Sequence, residues 1–402
     1  MKRIPSLLSL FSVLTLTLST FSSTMYADED NIDHSGNRFI GFGTSHDHAR
    51  AVAVGGGTPE SERAVALGLQ WIANHQLPNG SWSFNHQLAP SCQGACKNPG
   101  DKKYEKAHNA ATGLALLSFL GAGVTHKEGK YKQNVYNGLY FLLKNGKTNT
   151  DDVISFLNPP KDCVSFVEPQ GTMYSHGIVA ICLTEAYAMT KDKRLLPAAQ
   201  GSLNYIYWHQ DPSGGGWRYT RWQAGDTSVT GWQMAAIRTA ANMKNLDVPD
   251  KVVVKASRFL DSVQTDSGAK YGYSDPGEGP STTAVGLLTR MNFGWEHDNP
   301  ALQRGVEWLS QRGPHKTDSY YNYYATQVMF QYNGPMWEKW NAVMRDQLVN
   351  SQVQLGHEKG SWYHAGPWSS AGGRLYDTAM STMILEVYYR HPKIYKTNKG
   401  QE

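Results

Sequence analysis

Cysteine is scarce, with four residues in a chain of 402. Disulfides therefore cannot be the main source of stability, and a chain this long can bury a large core without them. A strong excess of one charge is missing too. The formal net charge is +4, from 38 Lys and Arg against 34 Asp and Glu, so nothing calls for nucleic acid or an anionic membrane surface. After the amino terminus no apolar run approaches the roughly 20 residues of a membrane span. A Walker loop, HExxH, G-x-S-x-G and a dinucleotide fingerprint are all absent. The glycine runs at 55–57 and 214–216 read as turn material.

The four cysteines are Cys92 and Cys96 in one Gly-rich loop, Cys163 in another, and Cys182 inside an apolar helical stretch. The three loop cysteines suit a staple in an oxidising compartment. A zinc set made of those three and His108 fits no closed zinc pattern by spacing. No metal and no cofactor are expected.

What is present begins with a leader. Lys2 and Arg3 precede an apolar run from Leu7 to Leu18, then small and hydroxyl residues end at Ala27 before the acidic Asp28-Glu29-Asp30. This order and length read as a signal peptide over 1–27. The mature chain is then expected to be secreted or periplasmic, with no stable transmembrane anchor. Losing Lys2 and Arg3 leaves 36 basic against 34 acidic residues, a net +2. Residues 28–56, with His34, His46 and His48 among Gly, Asp and Ser, lack helical periodicity and read as a flexible linker; 396–402 reads as a tail.

Between these, apolar residues recur at spacings of three and four. Twelve helices are predicted, near 61–76, 108–120, 130–144, 174–189, 194–209, 228–243, 250–264, 280–291, 299–311, 319–331, 336–353 and 374–390. Odd-numbered members, such as PDKVVVKASRFLDSVQ, carry charge on one face and read as outer helices. Even-numbered members, such as HNAATGLALLSFLGAG, are rich in Ala, Gly and Thr and read as an inner ring. Hairpins of this size bury their apolar faces only against neighbours. The expectation is an all-α fold, an α6/α6 toroid of six hairpins over 57–395.

A second periodicity lies between outer and inner helices. Gln76, Gly80 and Trp82 recur as Gln210, Gly214 and Trp217, as Gln264, Gly268 and Tyr271, and as Gln354, Gly360 and Trp362. Glutamine ends an outer helix, glycine takes a positive-φ turn, and the ring packs beneath the next inner helix. This signature resembles the QW repeat of triterpene cyclases. The hairpin count matches the toroid shared by those cyclases, protein prenyltransferase β-subunits and complement thioester domains. Stretches such as GGGWRY, GDTSVTGWQMAA and GGRLYDTAMSTMILEVYYR resemble a secreted bacterial family with prenyltransferase and squalene-oxidase repeats. The resemblance implies the toroid fold and leaves activity open.

Inner helices of such a ring run parallel, so their amino ends gather at one face, with free N–H groups and positive dipole ends suited to a polar ligand. The ligand-binding candidates are His108, Asn109, His176, Trp217, Arg218, Asp226, Trp232, Tyr321, Tyr324 and Asp377. Capping alone also accounts for residues such as Asp226 and Asp377. Class II cyclases protonate an alkene through Asp-x-Asp-Asp-Thr. Here the matching stretch is Gln223-Ala224-Gly225-Asp226-Thr227, and Gly225 stands where the proton donor belongs. Cyclase activity is therefore expected to be lacking, with a small hydrophobic, elongated and isoprenoid-like ligand in the central cavity as the leading expectation. The alternatives are a carbohydrate-active enzyme of the polysaccharide lyase type, drawing on His108, Asn109, His176, Arg218, Tyr219, Tyr321, Asn322 and Tyr324, or a scaffold that binds protein.

Overall fold

The computed structural model describes residues 45–148 and 159–395, all within one compact unit, Arg38–Glu402. The expected signal peptide, most of the expected linker with His34, and the expected tail lie outside the described residues.

Fourteen helices occur among the described residues. They are α1 (Ser45–Gly55), α2 (Pro59–Asn74), α3 (His108–Gly121), α4 (Lys132–Asn145), α5 (Thr172–Thr190), α6 (Leu196–His209), α7 (Thr227–Ala241), α8 (Asp250–Val263), α9 (Pro280–Asn292), α10 (Pro300–Arg312), α11 (Ser319–Tyr332), α12 (Gly334–Ser351), α13 (Ser369–Leu385) and the short α14 (Val387–Arg390). None is long and apolar enough to cross a membrane. From α2 to α13 they form six hairpins. The odd-numbered helices from α3 to α13 pack on one another in sequence, and α13 packs back on α3, closing the inner ring. The even-numbered helices from α2 to α12 lie outside.

Composition explains the sorting. Outer helix α8 buries Val252, Ala256, Phe259, Leu260 and Val263, a three-and-four stripe, with its charged residues on the other side. Inner helix α11 is buried at every residue from Ser319 to Tyr332. Part of the expected linker is helical as α1. It docks on α14, and its carboxyl end is held from α12, where the Trp337 indole donates to the Gly55 carbonyl at 2.9 Å. His48, on α1, pairs with Glu62 at 2.9 Å.

The glutamine repeat works as hydrogen-bonded mortar. The Gln76 amide bridges the carbonyls of Gly80 (2.8 Å) and Asn134 (2.9 Å), tying its turn to the next outer helix. Gln210 bridges Gly215 and Val252 in the same way. In the last repeat the bridging residue is Gln352, reaching Ala64 and Gly360, and not Gln354, which donates to the Gln352 carbonyl. The positive-φ glycine of the second repeat is likewise Gly215, not Gly214. Gly80 has φ +89°, and a Cβ there would lie 2.5 Å from the Asn137 carbonyl oxygen, so the turn requires glycine. The indoles of Trp82, Trp217 and Trp362 donate to the carbonyls of Ile72, Ile206 and Leu348.

Near its amino end each inner helix carries a side chain that pins the incoming loop. Thr112, Thr230, Thr283 and Thr378 accept the backbone N–H of Trp82, Trp217, Tyr271 and Trp362 at 3.0–3.1 Å. Asn322 accepts from His315 at 2.8 Å, and His176 accepts from Phe166 at 3.1 Å.

Candidate functional site

The amino ends of the inner helices meet across the ring. Tyr320 of α11 reaches the Ser228 carbonyl of α7 at 3.5 Å, past the intervening α9. Beneath this face the Trp232 ring lies 6.0 Å from Tyr323 and 5.8 Å from Tyr324, and Tyr324 lies 5.0 Å from Tyr320. These aromatic rings fill the bore. Toward the carboxyl ends, between Met234, Leu288 and Tyr323 on one hand and Glu185, Arg238 and His391 on the other, there is a cavity of about 30 Å³, room for a water molecule or two.

Several sequence candidates prove to be structural. His176 is fully buried; besides accepting from Phe166, its Nε2 donates to the Ser202 carbonyl at 3.0 Å. Both ring nitrogens are spent, so His176 does not face a pocket. Burial holds this imidazole at about 4 and keeps it neutral. Tyr321 turns outward, its ring 5.9 Å from Trp340 and its hydroxyl donating to the Gly313 carbonyl at 3.1 Å. Asp377 is fully buried and ties α13 to α11, accepting from Ser319 Oγ at 2.8 Å and the His364 N–H at 2.9 Å. Trp217 is mortar, as described above.

At α3 the expected anion-binding helix end is already filled. Both Glu168 oxygens accept backbone N–H groups, from Asn109 and Ala110 at 2.9 Å. The Asn109 side chain donates to the Phe166 carbonyl at 3.1 Å. An internal carboxylate thus meets the dipole end that an external anion would have used. His108 is half-buried, with Nδ1 3.1 Å from the Trp82 carbonyl.

The residues left to face a ligand lie around Asp226. This carboxylate caps α7 by accepting the Val229 N–H at 2.8 Å. Its other oxygen is buried, 3.7 Å from Arg218 Nε. Burial raises the Asp226 pKa, while the Val229 N–H, the Tyr273 hydroxyl and Arg218 pull against it. The Arg218 guanidinium sits 5.3 Å from the Tyr219 ring and 5.6 Å from the Tyr273 ring. The hydroxyls of those two tyrosines are 2.7 Å apart. Tyr174 lies 6.2 Å from Tyr219. Burial holds Tyr174, Tyr273 and Tyr320 above the usual phenol range. At neutral pH they are hydroxyls that can give and accept hydrogen bonds, not bases.

The same loop displays Trp222, 55 % exposed and at φ +59°. A left-handed backbone is costly for a bulky residue. Its indole is propped by the Arg221 guanidinium, 3.7 Å from it, which lies 3.8 Å from Trp208 on its way into the wall. Tyr219 and Tyr273 are also among the exposed large side chains. Of the sequence candidates, Arg218 and Asp226 lie in this region and Trp232 and Tyr324 in the bore beneath it; Tyr273 and Trp222 were not among them. An aromatic beside two arginines, outside any helical stripe, was the available signal for Trp222.

All four cysteines are free and buried, so the expected loop staple is not formed. Metal-binding side chains converge at one place among the described residues: His75, Cys92, Cys96 and His357. His108 and Cys163 are not in that set.

This geometry defines an α/α-toroid. No protein family and no curated protein matches the chain by sequence, but solved structures match its fold. The type II terpene cyclase MstE from Scytonema is 12 % identical, with a TM-score of 0.53 over 81 % of this chain and 97 % of that one. The α-1,6-mannanase GH76A of Salegentibacter sp. HEL1_6 is 9 % identical, with a TM-score of 0.53 over 82 % and 98 %. An α-amylase from Clostridium perfringens is 10 % identical, with a TM-score of 0.53 over 81 % and 97 %. At these identities the likeness concerns architecture alone.

Proposed function

We propose that this protein is an exported α/α-toroid that binds a glycan at the amino-end mouth of its inner ring, around Arg218, Tyr219, Trp222, Asp226 and Tyr273. The observation that carries the reading is the contrast between mouth and bore. The bore beneath is packed with aromatic rings, whereas a pocket for an elongated small molecule takes about 300–1,000 Å³. The mouth offers exposed aromatic faces beside a guanidinium and phenol hydroxyls, above the buried Asp226 carboxylate. A sugar ring presents an apolar C–H face and a rim of hydroxyls, and such a mixed aromatic and polar surface suits both. Arg218 favours a glycan with acidic groups.

The leader-like amino terminus supports export. Gly225, in place of an acidic partner for Asp226, supports the absence of cyclase chemistry. The lyase mechanism loses His176, Tyr321 and Asn322 to structural bonds.

An isoprenoid-like ligand is the second reading, supported by the aromatic rings of Trp232, Tyr320 and Tyr324 in the bore. The fold neighbour MstE has been seen with geranylgeranyl dihydroxybenzoate, just as GH76A has been seen with α-1,6-mannotriose. In this chain such a ligand would require Trp232 and Tyr324 to move aside. Calorimetric titration with neutral and uronate-containing oligosaccharides, and separately with polyprenyl and hopanoid lipids, decides between them. Saccharide binding that is lost in Trp222→Ala and Arg218→Ala supports the proposal. Lipid binding with silence across the saccharides overturns it.

A further inference from the structure

The first and last hairpins meet at a seam that carries four metal-binding side chains. His75 follows α2, Cys92 and Cys96 lie in the next loop, and His357 lies between α12 and α13. One ligand atom from each falls within 4.8 Å of all the others. We infer that His75, Cys92, Cys96 and His357 form a structural zinc site that clasps the ring shut.

The donor set is the first argument. Two thiolates and two imidazoles are a recurring tetrahedral environment for zinc, and the C-x-x-x-C spacing of Cys92 and Cys96 falls within the ligand pairs such sites use. Zn–S and Zn–N bonds of about 2.3 and 2.0–2.1 Å, set at a tetrahedral angle, put sulfur and nitrogen about 3.6 Å apart. Cys96 Sγ lies 3.5 Å from His75 Nε2 and 3.1 Å from His357 Nδ1.

The second argument is the aim of the two imidazoles. His75 Nδ1 donates to the Trp71 carbonyl at 2.7 Å, which leaves Nε2 bare toward the cysteines. His357 Nε2 donates to the Ser91 carbonyl at 2.8 Å, which leaves Nδ1 bare toward them. A backbone acceptor that fixes the tautomer of a ligand histidine is how metal sites orient their imidazoles. A turn in which the Ala95 N–H bonds the Cys92 carbonyl, with positive φ at Gln93 and Gly94, folds both sulfurs to one side.

The surroundings say what the metal is for. Cys96 and His357 are 261 residues apart. Around them the Lys97 N–H meets Glu358, Arg374 pairs with Glu358 at 2.9 Å, and the Asp101 N–H bonds the Ser370 carbonyl. With four protein ligands no position is left for a reacting water, so the role is structural. Because the four ligands converge only in the closed ring, the free energy of metal binding adds to that of folding.

Metal analysis of the full-length protein, purified without chelators, is expected to find about one zinc per chain. Cobalt replacement is expected to give tetrahedral visible bands with sulfur-to-metal charge transfer. Cys92→Ser with Cys96→Ser, and His357→Ala at the exposed corner, should lower the zinc content about tenfold or more; His108→Ala should keep it. Wild-type protein that takes up neither zinc nor cobalt, or one whose mass shows a Cys92–Cys96 disulfide after folding from the reduced chain, overturns the inference. Should the variants fail to fold, the cobalt spectrum of the wild type decides alone. Saccharide binding at the mouth does not enter this test.

Discussion

His176 holds the backbone N–H of Phe166 at 3.1 Å, the position at which four other inner helices use threonine. It is a pin whose chemistry changes with pH. Its folded pKa of about 4 lies below the ordinary 6.5. Between those values an unfolded chain binds a proton that the folded one refuses. The stabilisation is therefore complete above pH 6.5 and declines as pH falls toward 4, by roughly 3 kcal/mol in all. Asparagine already does this job in α11 as Asn322, so His176→Asn should keep the fold. Denaturant melts at pH 6.5 and pH 4.5 are expected to show a smaller acid loss in the variant.

The threonine pins can be tested directly. Thr230→Val keeps the volume of the side chain and removes the acceptor for the buried Trp217 N–H. The expected cost is about 1–3 kcal/mol, read as a lower denaturation midpoint with an unchanged m-value. No loss of stability would mean that the pin is dispensable.

At the other end of the ring, Arg390 binds Glu185 at 2.9 Å and Glu386 at 3.3 Å, with all three nearly or fully buried. Burial pushes both glutamates above their usual range. Removing the cation alone, as in Arg390→Met, strands two buried carboxylates and should cost about 3–5 kcal/mol. Adding Glu185→Gln and Glu386→Gln to that variant should restore part of the loss, measured by thermal or chemical melts.

Stability and ligand binding separate at the mouth. Asparagine caps helices as well as aspartate, so Asp226→Asn should shift the melting point little. Trp222→Ala should also be close to neutral, because the indole is exposed and alanine leaves the backbone conformation as it is. Trp222→Ala is expected to weaken saccharide binding about tenfold or more, as loss of an aromatic contact does; Asp226→Asn, whose carboxylate is buried, is expected to weaken it less, through Arg218 beside it. Unchanged affinity in both variants would remove the mouth as the binding site.

The layers were legible in the sequence because three-and-four spacing and charge segregation are local signals, as α8 and α11 show. The mortar was legible where glycine and tryptophan kept a fixed distance from glutamine, as at Gln76. It was misassigned at Gln352 because Gln354 fits the spacing slightly better, and only the hydrogen bonds to Ala64 and Gly360 separate the two. His176 read as a ligand because histidine is unusual at a helix start, whereas its partner, the Phe166 N–H, is set by tertiary packing. Trp222 was hidden by having no period, and the His75 and His357 pair by lying at opposite ends of the toroid sequence. Proximity of that kind is created by closing the ring and leaves no trace in local spacing.

That closure also fixes how the molecule comes apart. An open stack of repeats can lose its last unit and bare a single apolar face, so it can fray from an end or be shortened. A circle has no end from which to fray. Excising any one hairpin would bare two faces at once, so the six units are expected to melt together in one transition, with no stable five-unit version.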